Sequence, residues 1–567
     1  MKLVIKEYLT LLKESDELDA LLPDLLLSMG LEPFIYPQKG TRQYGVDLAA
    51  RGIYDEDDTL LLFTIKQGNI NRSEWDRTSQ GVKDSLDEIL DVFLQLHIRD
   101  EHKHLKKKIV LCTGGILESS VDTNWTGYTN RNQIEGEREY EFWGGDKLSI
   151  LIEKHMLNEN LFSPDIRSKF RRTLVKLDDS DYDFRDYYEL LNQLLLAIEF
   201  KDFETQSTRK KVRKIFRSID LSLNIVFYWA KQGNNLKPAL YCAERTLLTS
   251  WEFTRKNELI DKEWFLDSLI RIKVTFEKIY YFYFEKIKGN CLVLNGFSRH
   301  HSNFPLVSLN IFEQLGILTN FGLCLLFTPT DSNQIRETEL RAEYIEYTYM
   351  SLKSMINKNK ALLNPVYDNH IIEISSTIYF LAELKEFEFI RGWISDLTGH
   401  IWFAYKYYGK YFPIDSDSFD DLVSLNISST VRKEDMFTMS SLIPILSQWC
   451  IMLNFQEEYE EIRGRANDTF KDSIFQIFYP DEKTDQVLYT ENAGRKSGLA
   501  EAPIELVPFE EMKRRIMMVK EKAITFKDVS ANVLMPIIPF VAFRHFRTPM
   551  FPMYWQNLKS TTSNTEN

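Results

Sequence analysis

Several common signatures are missing from this chain of 567 residues. Its five cysteines, Cys112, Cys242, Cys291, Cys324 and Cys450, form no CxxC pair and are odd in number, which excludes a disulfide scaffold or a Cys-rich zinc site and fits a reducing cytoplasm. There is no GxxxxGK[ST] loop for an NTP, no HExxH pair for zinc and no GxSxG elbow for a nucleophilic serine. No uninterrupted apolar run reaches the length of a membrane span; the nearest, Val533 to Phe543, is broken by Pro536 and Pro539. Met1 to Glu7 lack the apolar core of a secretory signal. The expected location is therefore the cytoplasm, with no membrane partner. A basic excess is absent too: the net charge is −13, so any grip on nucleic acid must come from a local basic face.

What is present is an ordinary globular composition, 44% hydrophobic and 27% charged, rich in Phe and Tyr. The length predicts more than one domain. Residues 1–176 read as an α/β unit, a mixed sheet flanked by helices. Apolar positions from Leu9 to Met29 have helical spacing, with Gly30 as C-cap. Strands are expected around Leu31–Tyr36, after Asp47, at Leu60–Lys66, at Lys108–Thr113 and at Glu139–Trp143. Between the third and fourth lies a helix capped by Ser73, and a last helix begins near Leu148 behind an Asp146 cap. Residues 184–480 carry helical periodicity almost throughout, resembling a solenoid but without a fixed repeat. Residues 481–505 read as a polar linker, and 506–567 as a helical segment with a polar tail.

The chemistry concentrates near the start, in Thr41-Arg42-Gln43-Tyr44-Gly45-Val46-Asp47-Leu48 and Leu60-Leu61-Leu62-Phe63-Thr64-Ile65-Lys66-Gln67-Gly68. An aspartate enters one apolar strand and a lysine ends the next, so adjacent pairing brings Asp47 and Lys66 to one sheet edge. A carboxylate for a hard cation beside a lysine for an attacking water is the minimal set for metal-dependent phosphodiester hydrolysis. Alone, each residue has a plainer reading: a turn-capping aspartate, and a lysine snorkelling to water. Trp75, Ser85 and Leu86–Leu90 read as packing behind the site.

Residues 10–175 resemble the PD-(D/E)xK nuclease superfamily, its restriction-endonuclease-like and Mrr-like branch, through Gly45-Val46-Asp47, Phe63-Thr64-Ile65-Lys66-Gln67 and the element order. The resemblance implies Asp47 as ligand of Mg²⁺ or Mn²⁺ and Lys66 as the catalytic lysine. Thr64 departs from the pattern, standing where a carboxylate or amide is usual. The backbone oxygen of Ile65, or Glu17 on the first helix, would then complete the site, with Gln43 and Gln67 as further polar groups. Lys106, Lys107 and Lys108, with Arg171 and Arg172, are the expected DNA contacts; Arg209–Arg217 is a third basic run.

The implied activity is a DNA endonuclease, the effector of a prokaryotic anti-phage or restriction system. Its helical region would regulate it or dock a second copy or a partner protein, an NTPase among the candidates. The alternative is a non-catalytic interaction scaffold built on a degenerate nuclease fold.

Overall fold

The computed structural model describes residues 2–12, 17–38, 43–77, 81–157, 163–177, 179, 184–196, 203, 205–298, 304–327, 335–428, 431–479, 499–520 and 535–548. Most of the expected linker, most of residues 177–183 between the two expected regions, and His300–His301 lie outside them. The chain divides into two compact units, residues 1–242 with 262–272, and residues 243–261 with 273–567. This division does not coincide with the sequence break at 177–183, because the helices after that break pack onto the first unit.

The first unit begins with α1 (Lys2–Leu11) and α2 (Asp19–Met29), two helices where the periodicity suggests one continuous run. Gly30 does end α2: its φ of +90 suits a residue without Cβ, and its N–H returns to the Leu26 and Leu27 carbonyls. Strands β1 (Glu32–Ile35), β2 (Leu48–Tyr54) and β3 (Asp57–Lys66) form an antiparallel meander. Strands β4 (Lys106–Thr113) and β5 (Arg138–Trp143) extend it in parallel, giving a five-stranded sheet in the order β1-β2-β3-β4-β5.

Parallel neighbours require crossovers. The one from β3 to β4 runs through α3 (Arg72–Asp76), α4 (Val82–Glu88) and a π-helical stretch, Ile89–His97. Asn71, not Ser73, caps α3, its side chain accepting from the Glu74 N–H. The crossover from β4 to β5 is α5 (Ser119–Asn132), a helix the sequence reading omitted. Only Val121 and Tyr128 of α5 are buried, so its apolar signal is faint. Gly144, not Asp146, caps the next helix, α6 (Gly145–His155), while Asp146 pairs with Lys6.

Side chains alternate across β3. Leu60 and Leu62 join Val82, Leu86 and Ile89 in the core beneath α4, while Leu61, Phe63 and Ile65 face the opposite side, where Phe63 meets Trp143. Helices α7 (Pro164–Lys176), α8 (Arg185–Leu196) and α9 (Gln206–Gln232) complete the unit, with α9 packed on α1. Buried Asp24 of α2 binds Arg217 of α9 and Arg271.

The second unit is mostly helical. Among the described residues one helix, Phe304–Phe327, is long and apolar enough to cross a membrane, which corrects the reading that no such segment exists. Polar residues such as Glu313, Gln314 and Asn320 interrupt its apolar run, so run length alone missed it. It is a core helix: 72% of its most apolar window is buried, Tyr283 donates to Gln314, and Thr319 bonds Thr377. Ile538 to Phe543 of the Val533–Phe543 stretch lie in a buried helix, Ile538–His545, whose Arg544 and His545 bind buried Glu244. All five cysteines are buried, and no disulfide joins them.

Asp24→Ala should lower stability, because it leaves Arg217, with only 15% of its side chain exposed, without its counter-charge. A loss of about 1–3 kcal/mol in the first transition of chemical denaturation is expected.

Candidate functional site

Asp47 stands one residue before β2, on a turn that the chain shapes closely. Tyr44 and Gly45 have φ of +51 and +79. A Cβ on Gly45 would lie 2.1 Å from the Ser85 carbonyl oxygen, so the turn seats directly on α4 only because that residue is glycine. The Tyr44 ring stacks on His97 at 4.3 Å, and the Gln43 amide braces the loop by donating to the Tyr36 carbonyl. The Asp47 N–H then bonds the Phe63 carbonyl at 2.9 Å, and its carboxylate accepts the Ile65 N–H at 2.7 Å.

Lys66 closes β3 at the same edge, level with Thr113 of β4. Its ammonium donates to the Ser85 hydroxyl at 3.1 Å, and that hydroxyl donates to the Gly81 carbonyl at 2.9 Å. Ser85 thus does more than pack behind the site. Burial pushes the Asp47 carboxyl above the ordinary aspartate range; the Ile65 N–H and the Lys66 charge pull it back, and the Asp19 carboxylate raises it again.

Asp19, in the first turn of α2, is an acid that sequence reasoning did not single out. Glu17, chosen instead, faces elsewhere: after burial, its carboxylate is what raises the Tyr228 phenol, and it also raises Tyr8. The acidic run Asp16-Glu17-Leu18-Asp19 was visible, but only the helix phase tells which acid meets Asp47. Gln67 follows Lys66 and is exposed. Ile65 meets Asp47 through its N–H. Thr64 is fully buried, and its hydroxyl has no hydrogen-bond partner among the described residues.

The expected DNA contacts on β4 do not border this edge. Lys106 pairs with Thr59 at the start of β3, whereas Thr113 pairs with Lys66 at its end. Seven residues of strand separate the two, roughly 23 Å at about 3.3 Å per residue. Lys106 is bound to Asp57 and Glu139, Lys108 to Asp55 and Glu139, and Lys107 reaches back to the Lys103 carbonyl. On α7, Arg172 is paired with Asp186, while Arg171 is exposed. Arg209 and Arg213 stack on Trp264. Much of this positive charge is therefore matched within the chain.

No group of three or more His, Cys, Asp or Glu side chains that could hold a metal occurs among the described residues. Mg²⁺ asks for less, one or two carboxylates completed by water and substrate phosphate, and Asp47 is the carboxylate that stands at this edge. No protein-family model matches the chain at a significant level, and neither does any curated protein or solved structure.

A raised carboxyl has a consequence for stability. The folded state binds a proton more tightly than the unfolded chain, so Asp47 destabilises the fold as pH rises above the ordinary value of 3.8. Asp47→Asn keeps an acceptor for the Ile65 N–H and removes the charge. In chelator at neutral pH the variant should melt above the wild type, and the difference should vanish in acid, as read by calorimetry.

Proposed function

We propose that the first unit is a Mg²⁺- or Mn²⁺-dependent DNA endonuclease of the PD-(D/E)xK, restriction-endonuclease-like kind. One observation carries this reading: a carboxylate raised by burial sits beside a lysine, where β2 begins and β3 ends. Perturbed acids of this kind collect at functional sites. Asp47 and Asp19 would hold the cation. In an extended strand the N–H and C=O of one residue leave toward the same neighbour, so the Ile65 carbonyl is directed to the Asp47 side and can join them. The cation would supply charge neutralisation at the scissile phosphodiester and acidify a bound water. Lys66 holds a proton on Nζ, orients the attacking water and faces the negative charge that develops on phosphorus-bound oxygen. DNA as the substrate, and a role as effector in an anti-phage or restriction system, rest on the resemblance and on the architecture of an α/β unit joined to a long helical region. That region would control the nuclease through a second copy or a partner protein, an NTPase among them.

The test is cleavage of supercoiled plasmid by the full chain. Nicking should require Mg²⁺ or Mn²⁺ and stop in chelator; Asp47→Ala and Asp19→Ala should abolish it. Lys66→Ala should slow single-turnover cleavage about 10²-fold or more while leaving DNA affinity nearly unchanged. Cleavage that persists in Asp47→Ala overturns the assignment.

Thr64 favours a second reading, a scaffold without catalysis, because a buried hydroxyl with no partner stands where the resemblance expects a metal-binding group. Thr64→Glu separates the two. If the edge holds a cation, this variant should melt lower than wild type in chelator and recover on adding Mg²⁺. A melting temperature indifferent to every divalent ion, with no cleavage by the wild type, supports the scaffold.

A further inference from the structure

Ser85 touches both halves of the candidate site through different atoms. Its backbone carbonyl is the surface on which the Gly45 turn rests, one residue from Val46 and two from Asp47. Its side chain accepts from Lys66 Nζ at 3.1 Å. A hydroxyl has a single proton, and Ser85 gives it to the Gly81 carbonyl one helical turn back, at 2.9 Å. The lone pairs of Oγ are thereby aimed away from the helix, toward the ammonium. The residue is 7% exposed, so water competes little for that acceptor.

From these contacts we infer that Ser85 is the positioning residue of the site: one turn of α4 sets where the Lys66 ammonium stands relative to the Asp47 carboxylate. Lysine is otherwise poorly suited to the task, since its ammonium rides on a flexible four-carbon stem. A bond to an oriented acceptor narrows that freedom before substrate arrives. Asp47 is held from the strand side by the Ile65 N–H, and the turn behind it is held by α4. The two reactive groups are thus referenced to one rigid element. Small displacements of a positioned group are costly, on the order of 10²-fold in rate for about 1 Å. The inference rests on the nuclease reading for its effect on rate, but the contact itself can be read without catalysis.

The experiment compares Ser85→Ala, Ser85→Thr and Ser85→Cys in the full chain with two readouts. The first is kcat and KM for plasmid cleavage in Mg²⁺. Ser85→Ala should lose about 10- to 100-fold in kcat with KM little changed; Ser85→Cys should resemble it, because a thiol is a weak acceptor. Ser85→Thr should stay close to wild type. The second readout is the rate at which an amine-selective acetylating reagent modifies Lys66, followed by peptide mass spectrometry. That rate should rise severalfold in the Ala and Cys variants and not in the Thr variant. A Ser85→Ala protein with wild-type kcat and wild-type acetylation at Lys66 overturns the inference. Should Ser85→Ala fail to fold, equal kcat and equal acetylation in the Thr and Cys variants overturn it as well. A wild type that never cleaves defeats the nuclease reading alone, because hydroxyl-dependent acetylation of Lys66 would still uphold the positioning contact.

Discussion

Seven antiparallel residue pairs join β2 to β3, from Leu48 with Phe63 to Tyr54 with Asp57, and the arrangement at the candidate site depends on that register. A slip of one residue would turn every side chain of one strand to the opposite face. It would carry Leu60 and Leu62 out of the core beneath α4 and separate Lys66 from Ser85. The register is therefore defended by burial along the whole of β3, not by the polar residues that use it. Asp47 and Lys66 meet because apolar side chains far from them cannot be rearranged. The Ile65 N–H adds the last constraint, tying the Asp47 carboxylate to the backbone of the strand that carries the lysine.

Packing from one side alone would leave the turn before Asp47 free to move. Gly45 solves this by letting the backbone approach the Ser85 carbonyl more closely than any Cβ would allow, while Tyr44 stacks on His97 at the end of the π-helical stretch. π-helical turns are uncommon and tend to accompany functional sites. Here that stretch supplies both Ile89, buried under the sheet, and His97, exposed at the turn, from one continuous element.

The strands were legible because apolar runs such as Leu60–Ile65, bounded by turn residues, leave little choice of conformation. The pairing of Asp47 with Lys66 followed from them. Helix α5 was not legible: a segment that buries only Val121 and Tyr128 shows almost no periodic signal, yet the parallel pairing of β4 with β5 needs a crossover just there. Glu17 and Asp19 differ in helix phase. Two residues on a helix turn the side chain by roughly 200°, so Glu17 meets Tyr228 while Asp19 is the acid felt at Asp47. The lysines of β4 illustrate a different limit. Lys106 to Lys108 are close to the site in sequence, but a strand runs straight, and its two ends are remote in space even when they belong to one motif.

The electrostatics of Asp47 bear on why such an edge would be kept. A carboxyl raised by burial and by a neighbouring acid works against folding at neutral pH, and an amide there would satisfy the same Ile65 N–H without the penalty. Buried acids of the second unit differ in what offsets them: Glu244 lies between Arg544 and His545 and Glu373 meets Arg547, whereas Asp368, pushed up to about 6 by burial, is held by the Ser440 hydroxyl and the Ser441 and Leu442 N–H groups. Asp24, in the first unit, is flanked by two arginines. At Asp47 burial outweighs the pull of the Ile65 N–H and of the Lys66 charge, and Asp19 adds a smaller push upward. A group that lowers stability where a neutral substitute would serve is the pattern expected when function, not folding, selects the residue. On that argument the incompletely offset burial of the Asp47 carboxylate is the feature of this edge that a divalent cation would complete.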